Sequence, residues 1–238
     1  MMRRLSTTLT CALLCLAALA QAQIPSSTQE RLTTPGKPQK EDVLRGNKLF
    51  RDMAQCVVER QSTRVDNLLN SAPGSKVEMK LADSLQSRYD NCLGMGSISF
   101  PHYVLRGGLA EVVYHREFPN GLDTTTKPAT EVTLVWSDPN LDSDGVQALE
   151  LMHSAARCLV ARQPKRVSDL LETETMSPEE MRVIRDLQGD LGACLFAGVT
   201  FNGNRQSLRA LLAEAALEYG VAQRSGFAGV AAAAAGKK

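Results

Sequence analysis

One stretch of the chain recurs, and the recurrence limits what the chain can fold into. Ala54–Leu69 reads AQCVVERQSTRVDNLL, and Ala156–Leu171, 102 residues on, reads ARCLVARQPKRVSDLL. Nine of the sixteen aligned positions are identical, where average residue usage gives roughly one. Self-similarity at this level reads as an internal duplication, which has to be settled before any fold is assigned. The cysteines keep the same offset, Cys56 and Cys92 answering to Cys158 and Cys194.

Apolar spacing predicts four helices in each block. Glu41–Arg60 sets Leu49, Phe50, Met53 and Val57 on one face, and Asp144–Arg162 does so with Leu149, Met152, Ala156 and Leu159. A short turn, Gln61–Thr63 or Gln163–Lys165, leads to a brief second helix holding Val65, Leu68 and Leu69, or Val167, Leu170 and Leu171. The third helix has the clearest start signal. Ser75 with Glu78 and Ser177 with Glu180 are capping boxes, and Pro178 stands where proline opens a helix. Behind them run Val77, Leu81, Leu85, Tyr89 and Cys92 in one copy, and Met181, Ile184, Leu187, Leu191 and Cys194 in the other.

The fourth helix is Leu105–Phe118, matching Leu208–Gly220 at an offset of 103. Val112, Val113 and Tyr114 would suit a strand, but the Ala/Leu/Glu content of the second copy decides for helix. The expected fold is all-α: two tandem pseudo-repeats of about four helices, clamped by disulfides and packed as one bundle. The blocks span 41–118 and 144–220, joined by a Pro/Asn/Gly/Asp/Thr-rich linker at 119–143. Inside the linker, Glu131–Trp136 alternates Val132, Leu134 and Trp136, which suggests an extended segment docked on an apolar face.

Residues 1–22 have the make-up of a secretory signal: Arg3 and Arg4, an apolar run over Leu9–Ala20, and Ala20-Gln21-Ala22 as a cleavage site. The run is too short to span a membrane. Neither Thr10 nor Leu14 is the small residue expected before a lipidated Cys11 or Cys15. Residues 23–40 read as a flexible leader and 221–238 as an Ala-rich tail. The expectation is a periplasmic or secreted protein. Removing the signal leaves 25 basic against 26 acidic residues, a balance that argues against nucleic acid or an anionic membrane as partner.

Four cysteines remain for an oxidising compartment, and four allow three pairings. A bridge inside the ancestral block is copied with it, which selects Cys56–Cys92 and Cys158–Cys194, each 36 residues apart. Zinc is the alternative. It is disfavoured because no CxxC occurs and no histidine stands at ligand spacing from a cysteine.

Candidate chemistry is thin. Glu111 and His115 lie one helical turn apart, but two ligands make a weak metal site and the second copy has Glu214 and Glu218 there. Ser97 lacks a GxSxG frame, and neither a P-loop nor GxGxxG occurs. The charges that recur are Arg60/Arg162, Arg64/Arg166, Arg106/Arg209 and Glu111/Glu214. A catalytic group has no need to appear twice, so these are expected in structural ion pairs and in compensating helix C-termini. Gly107-Gly108 breaks a good helix at a cost of ~2 kcal/mol against alanine. It is expected at a close helix crossing or where backbone approaches a ligand.

Paired cysteines in helical repeats over roughly Glu41–Gly220 resemble secreted bacterial proteins of unassigned function. The resemblance implies an all-α fold and no particular activity. Without a catalytic constellation, metal or cofactor motif, the expected role is non-enzymatic: a protein-interaction or envelope-associated module. The alternative is a carrier for an apolar small molecule held between the two blocks, with Met53, Met79, Met95, Met152 and Met181 available to line it.

Overall fold

The computed structural model describes residues 40–86, 92, 100–125, 144–195, 201 and 203–225. The signal segment, the leader up to residue 39, Ser97, Glu131–Trp136 and the tail beyond 225 lie outside the described residues. Regular structure among those described is all helical. In chain order the helices are α1 (Lys40–Arg60), α2 (Ser62–Leu69), α3 (Lys76–Gln86), α4 (His102–Glu117), α5 (Asp144–Arg162), α6 (Pro164–Glu172), α7 (Pro178–Cys194) and α8 (Arg205–Arg224).

The turns expected at Gln61–Thr63 and Gln163–Lys165 shrink to single residues. Gln61 has φ −134° and ψ 36°, and Gln163 has φ −133° and ψ 51°. One residue suffices because each serves both helices. The Gln61 N–H donates to the Val57 carbonyl at 2.8 Å, and its own carbonyl accepts from Val65 at 3.0 Å. Gln163 does the same between Leu159 and Val167, at 2.9 and 3.0 Å. Pro164 then opens α6 at a position where no amide proton is missed.

Both capping boxes form, with one difference from the expected geometry. Ser75 Oγ accepts from the Glu78 amide and Ser177 Oγ from the Glu180 amide, each at 3.0 Å. The glutamates reach one residue further back than the cap, to the amides of Gly74 (2.5 Å) and Met176 (2.8 Å). That reach requires a left-handed backbone, with φ 77° at Gly74 and φ 68° at Met176. Glycine adopts it freely, whereas methionine pays ~1–2 kcal/mol, of which glycine's looser unfolded chain returns ~0.4–1. Met176→Gly is therefore expected to stabilise the fold by ~0.5–1 kcal/mol, seen as a rise of a few degrees in melting temperature. An unchanged or lower melting temperature would show that Met176 gains more from packing than it loses in strain.

Because the capping glutamates turn inward, the buried faces of α3 and α7 start at Glu78 and Glu180. The expected leading apolar residues point outward instead, Val77 being 60% and Met181 40% exposed. Leu49, on α1, is also exposed, while Phe50, Met53, Ala54, Val57 and Val58 are buried. One continuous apolar cluster draws on α1 to α8, including Leu68, Leu85, Leu109, Leu159, Leu171, Leu187 and Leu212. Both blocks lie within one compact unit, Gln39–Lys238. α4 and α8 pack against each other most extensively, with α1 laid on α4 and α5 on α8.

The second block runs past Gly220, since α8 continues to Arg224 with Ala222 buried. A methyl added at Gly220 would stand 2.5 Å from the Phe118 ring, so the missing side chain is the space this ring fills. The start of the linker is packed rather than free. Leu122 is buried, and its amide donates to Ser168 Oγ at 3.1 Å.

Cys56–Cys92 and Cys158–Cys194 are both disulfide-bonded, each with a Cα–Cα distance of 5.7 Å. Each ties the C-terminal half of a block's first helix to a cysteine ten or eleven residues before the fourth, Cys194 being the last residue of α7. Two such bridges suit an oxidising, extracytoplasmic environment. Among the described residues no helix is long and apolar enough to cross a membrane.

Candidate functional site

Two buried arginines, one in each central helix, organise the polar interior. Arg106 on α4 is fully buried. Its Nη1 donates to the Leu68 carbonyl (2.5 Å) and Ser71 Oγ (3.3 Å), its Nη2 to the Leu69 carbonyl (2.7 Å), and its Nε to Glu214 Oε1 (2.6 Å). Arg209 on α8 repeats the pattern at equivalent positions. It donates to the carbonyls of Leu170 (3.0 Å), Leu171 (2.8 Å) and Thr173 (3.0 Å), to Thr173 Oγ1 (3.1 Å), and to Glu111 (2.8 Å). Each arginine thus satisfies carbonyls at the C-terminal end of its own block's short helix, α2 or α6, which have no intrahelical partner. Each draws its carboxylate from the other block. The capping glutamate completes the set, Glu78 lying 3.9 Å from Arg106 and Glu180 3.1 Å from Arg209.

Burial pushes the Glu214 carboxyl up, but the Arg106 and His153 charges outweigh it and hold it below the usual carboxylate range. Glu78 goes the other way. Burial raises it more than Arg106, at its greater distance, lowers it. His153 lies buried on α5 with Nδ1 3.7 Å from Glu214 Oε2, and burial depresses its basicity. Its Nε2 has no hydrogen-bond partner among the described residues.

The other recurrent arginines are less central. Arg162 and Arg166 share Asp190, at 3.6 and 3.7 Å. Arg60 and Arg64, expected to match them, form no ion pair among the described residues, and Arg64 donates to Gln61 at 3.0 Å. The acidic partner has no counterpart in the first block, where the chain carries Arg88.

A cleft of about 760 Å³ opens where the two blocks meet. α1 and α4 form one side, and residues 171–175 after α6 with the start of α8 form the other. Phe50, Ala54, Val58, Val104, Val112 and Ala210 give it apolar surface. Glu111, His115 and Glu172 stand together in it, His115 Nδ1 lying 3.3 Å from Glu172 and Nε2 3.9 Å from Glu111. Glu111 is 14% exposed and clasps Arg209 with both oxygens, whereas His115 is 38% exposed.

Gly107 and Gly108 serve different ends. A methyl on Gly107 would stand 2.4 Å from Ala210 Cα, so this glycine is consumed by the crossing of α4 and α8 and faces no ligand. Gly108 lines the cleft beneath the Phe50 ring. Among the described residues no methionine lines the cleft. Met53 is buried in the core, Met79 and Met181 are half exposed, and Met95 lies outside the described residues.

No group of three or more potential metal ligands occurs among the described residues. No protein-family model, curated protein or solved structure matches the chain. Sequence reasoning read Glu78 and Glu180 only as helix caps and missed their place beside the buried arginines; it also missed the buried His153 and the Arg157–Glu218 pair, whose nitrogen–oxygen distance is 2.7 Å. The recurrence of the capping glutamates beside recurrent arginines was the available signal for the first two.

Proposed function

We propose that this chain is a non-enzymatic binding protein of the periplasm or the secreted fraction, which holds an apolar small molecule in the cleft between its blocks. The cleft carries the reading: its volume of about 760 Å³ falls within the ~300–1,000 Å³ typical of small-molecule sites, and apolar walls with a few polar groups are the usual lining. Cleft formation where two packed units meet is also the common location for such sites. The competing role, docking of a partner protein, would call for a broad apolar face. The large exposed apolar side chains, Leu44, Leu49, Val77, Met79, Met181 and Val221, are instead spread over four helices.

Two measurements test the proposal. Organic extraction of the purified protein followed by mass spectrometry should yield a co-purified apolar compound. The neutral dye N-phenyl-1-naphthylamine should bind wild type and lose about tenfold or more in affinity in Val112→Trp, which places an indole in the cleft. Val112→Trp should keep helical circular dichroism. No extracted compound together with no dye binding would end the proposal.

A further inference from the structure

The second block shows what the cleft looks like when it is shut. At positions equivalent to Gln55 and His115 it has Arg157 and Glu218, offset by 102 and 103. There the Arg157 guanidinium clasps Glu218 through Nε (2.7 Å) and Nη2 (3.2 Å), bolting α5 to α8. His153, equivalent to Arg51, packs beside Glu214 at 3.7 Å and is buried. Leu211 fills the place of Gly108. In the first block the bolt is gone. Gln55 carries no charge and donates to Glu59 on its own helix at 3.1 Å, and His115 leans to Glu172. The same seam, between α1 and α4, is lined by an open cleft.

Each guanidinium around that cleft has its carboxylate, while Glu59 and Glu172 face the Gln55 amide and the His115 ring. Arg209 holds Glu111 at 2.8 Å, Arg116 holds Glu117 at 3.1 Å, and Arg51 stands 3.9 Å from Glu174. An ionic ligand leaving water needs a counter-charge that is itself shielded from water; here each guanidinium already has its carboxylate, and Glu59 and Glu172 are exposed to solvent. What the seam does offer is an amide and an imidazole, which together donate and accept hydrogen bonds without net charge.

We infer that the cleft takes an uncharged amphiphile, an apolar chain or ring bearing a hydroxyl or amide head, and that Gln55 and His115 hold the head. This rests on the ligand-binding reading above and narrows it to a chemical class. Apolar surface from Phe50, Val104 and Val112 receives the body, with the Phe50 ring lying directly against Gly108.

The test is displacement of N-phenyl-1-naphthylamine from wild-type protein at neutral pH by 1-decanol, decanoate and decylammonium, which share a chain and differ in head. Decanol should compete at about tenfold lower concentration than either ion, the penalty for burying an unmatched charge. Equal or better competition by decanoate or decylammonium overturns the inference while leaving the binding role intact. No dye binding at all removes both. The double variant Gln55→Arg/His115→Glu copies the bolt of the second block. It should weaken decanol about tenfold while the melting temperature holds or rises. Undiminished decanol binding in that variant overturns the role given to Gln55 and His115.

Discussion

Reducing both disulfides is expected to lower the melting temperature by ~15–30 °C. Each bridge closes a 36-residue separation, and the chain-entropy estimate for such a loop is ~4 kcal/mol at 25 °C. Two of them give ~8 kcal/mol, comparable with the whole stability of an ordinary domain. For a domain of about this size each kcal/mol is worth ~2–4 °C. The equality of the two separations makes a sharper statement. Removing Cys158–Cys194 alone, as paired alanines, should cost about as much as removing Cys56–Cys92 alone. Thermal melts by circular dichroism with and without phosphine reductant decide it. A reduced protein that melts within a few degrees of the oxidised one would refute the clamping role of the bridges.

The parts of this fold that the sequence makes legible are those written locally or copied at a fixed offset. Helix starts at Ser75 and Ser177 are visible because a capping box is a four-residue pattern, and the cysteine pairing follows from one separation found twice. The arginine partners could not be read in this way. Arg106 meets Glu214 across 108 residues and Arg209 meets Glu111 across 98. No spacing rule encodes which helix will cross which, so recurrence identified these residues while their exchange between blocks stayed hidden. The outward turn of Val77 and Met181 had a similar cause, because a glutamate ordinarily belongs on the wet face. Only a buried arginine makes the opposite arrangement favourable.

The cleft was legible in part. Gly107-Gly108 marked the right stretch of helix, but only Gly108 lines the opening, and Ala210 closes over its neighbour. The two seams differ at paired positions: Arg51 against His153, Gln55 against Arg157, Gly108 against Leu211 and His115 against Glu218. Each alone is an ordinary surface difference. They acquire meaning only once α1 is known to lie on α4 as α5 lies on α8. The two halves of the molecule carry matching arginine networks, yet one seam is bolted by Arg157 and Glu218 while a cleft lies along the other.

The interior network itself predicts the largest effect of any single substitution outside the cysteines. Arg106→Met preserves volume and length but removes the cation between two buried carboxylates, Glu78 and Glu214. It also strands the Leu69 carbonyl, whereas that of Leu68 keeps the Ser71 amide and hydroxyl as donors. Breaking a buried pair from one side costs ~3–5 kcal/mol, because the remaining charge has neither water nor partner. Urea denaturation should show a loss of that size. Arg209→Met should lose a comparable amount: Glu111 retains some solvent at 14% exposure, but Glu180, 3.1 Å from Arg209, is fully buried. The sign with pH is fixed by the same argument. In Arg106→Met the folded pKa of Glu214 rises relative to wild type, since burial is then opposed only by His153 and Arg157. The folded state binds the extra proton, so the deficit relative to wild type should shrink as pH falls from 7 toward 5. Adding Glu214→Met to Arg106→Met removes the stranded charge and should recover a large part of the loss. A double variant as unstable as the single one would mean that the Leu69 carbonyl, and not the ion pair, is what Arg106 is there to satisfy.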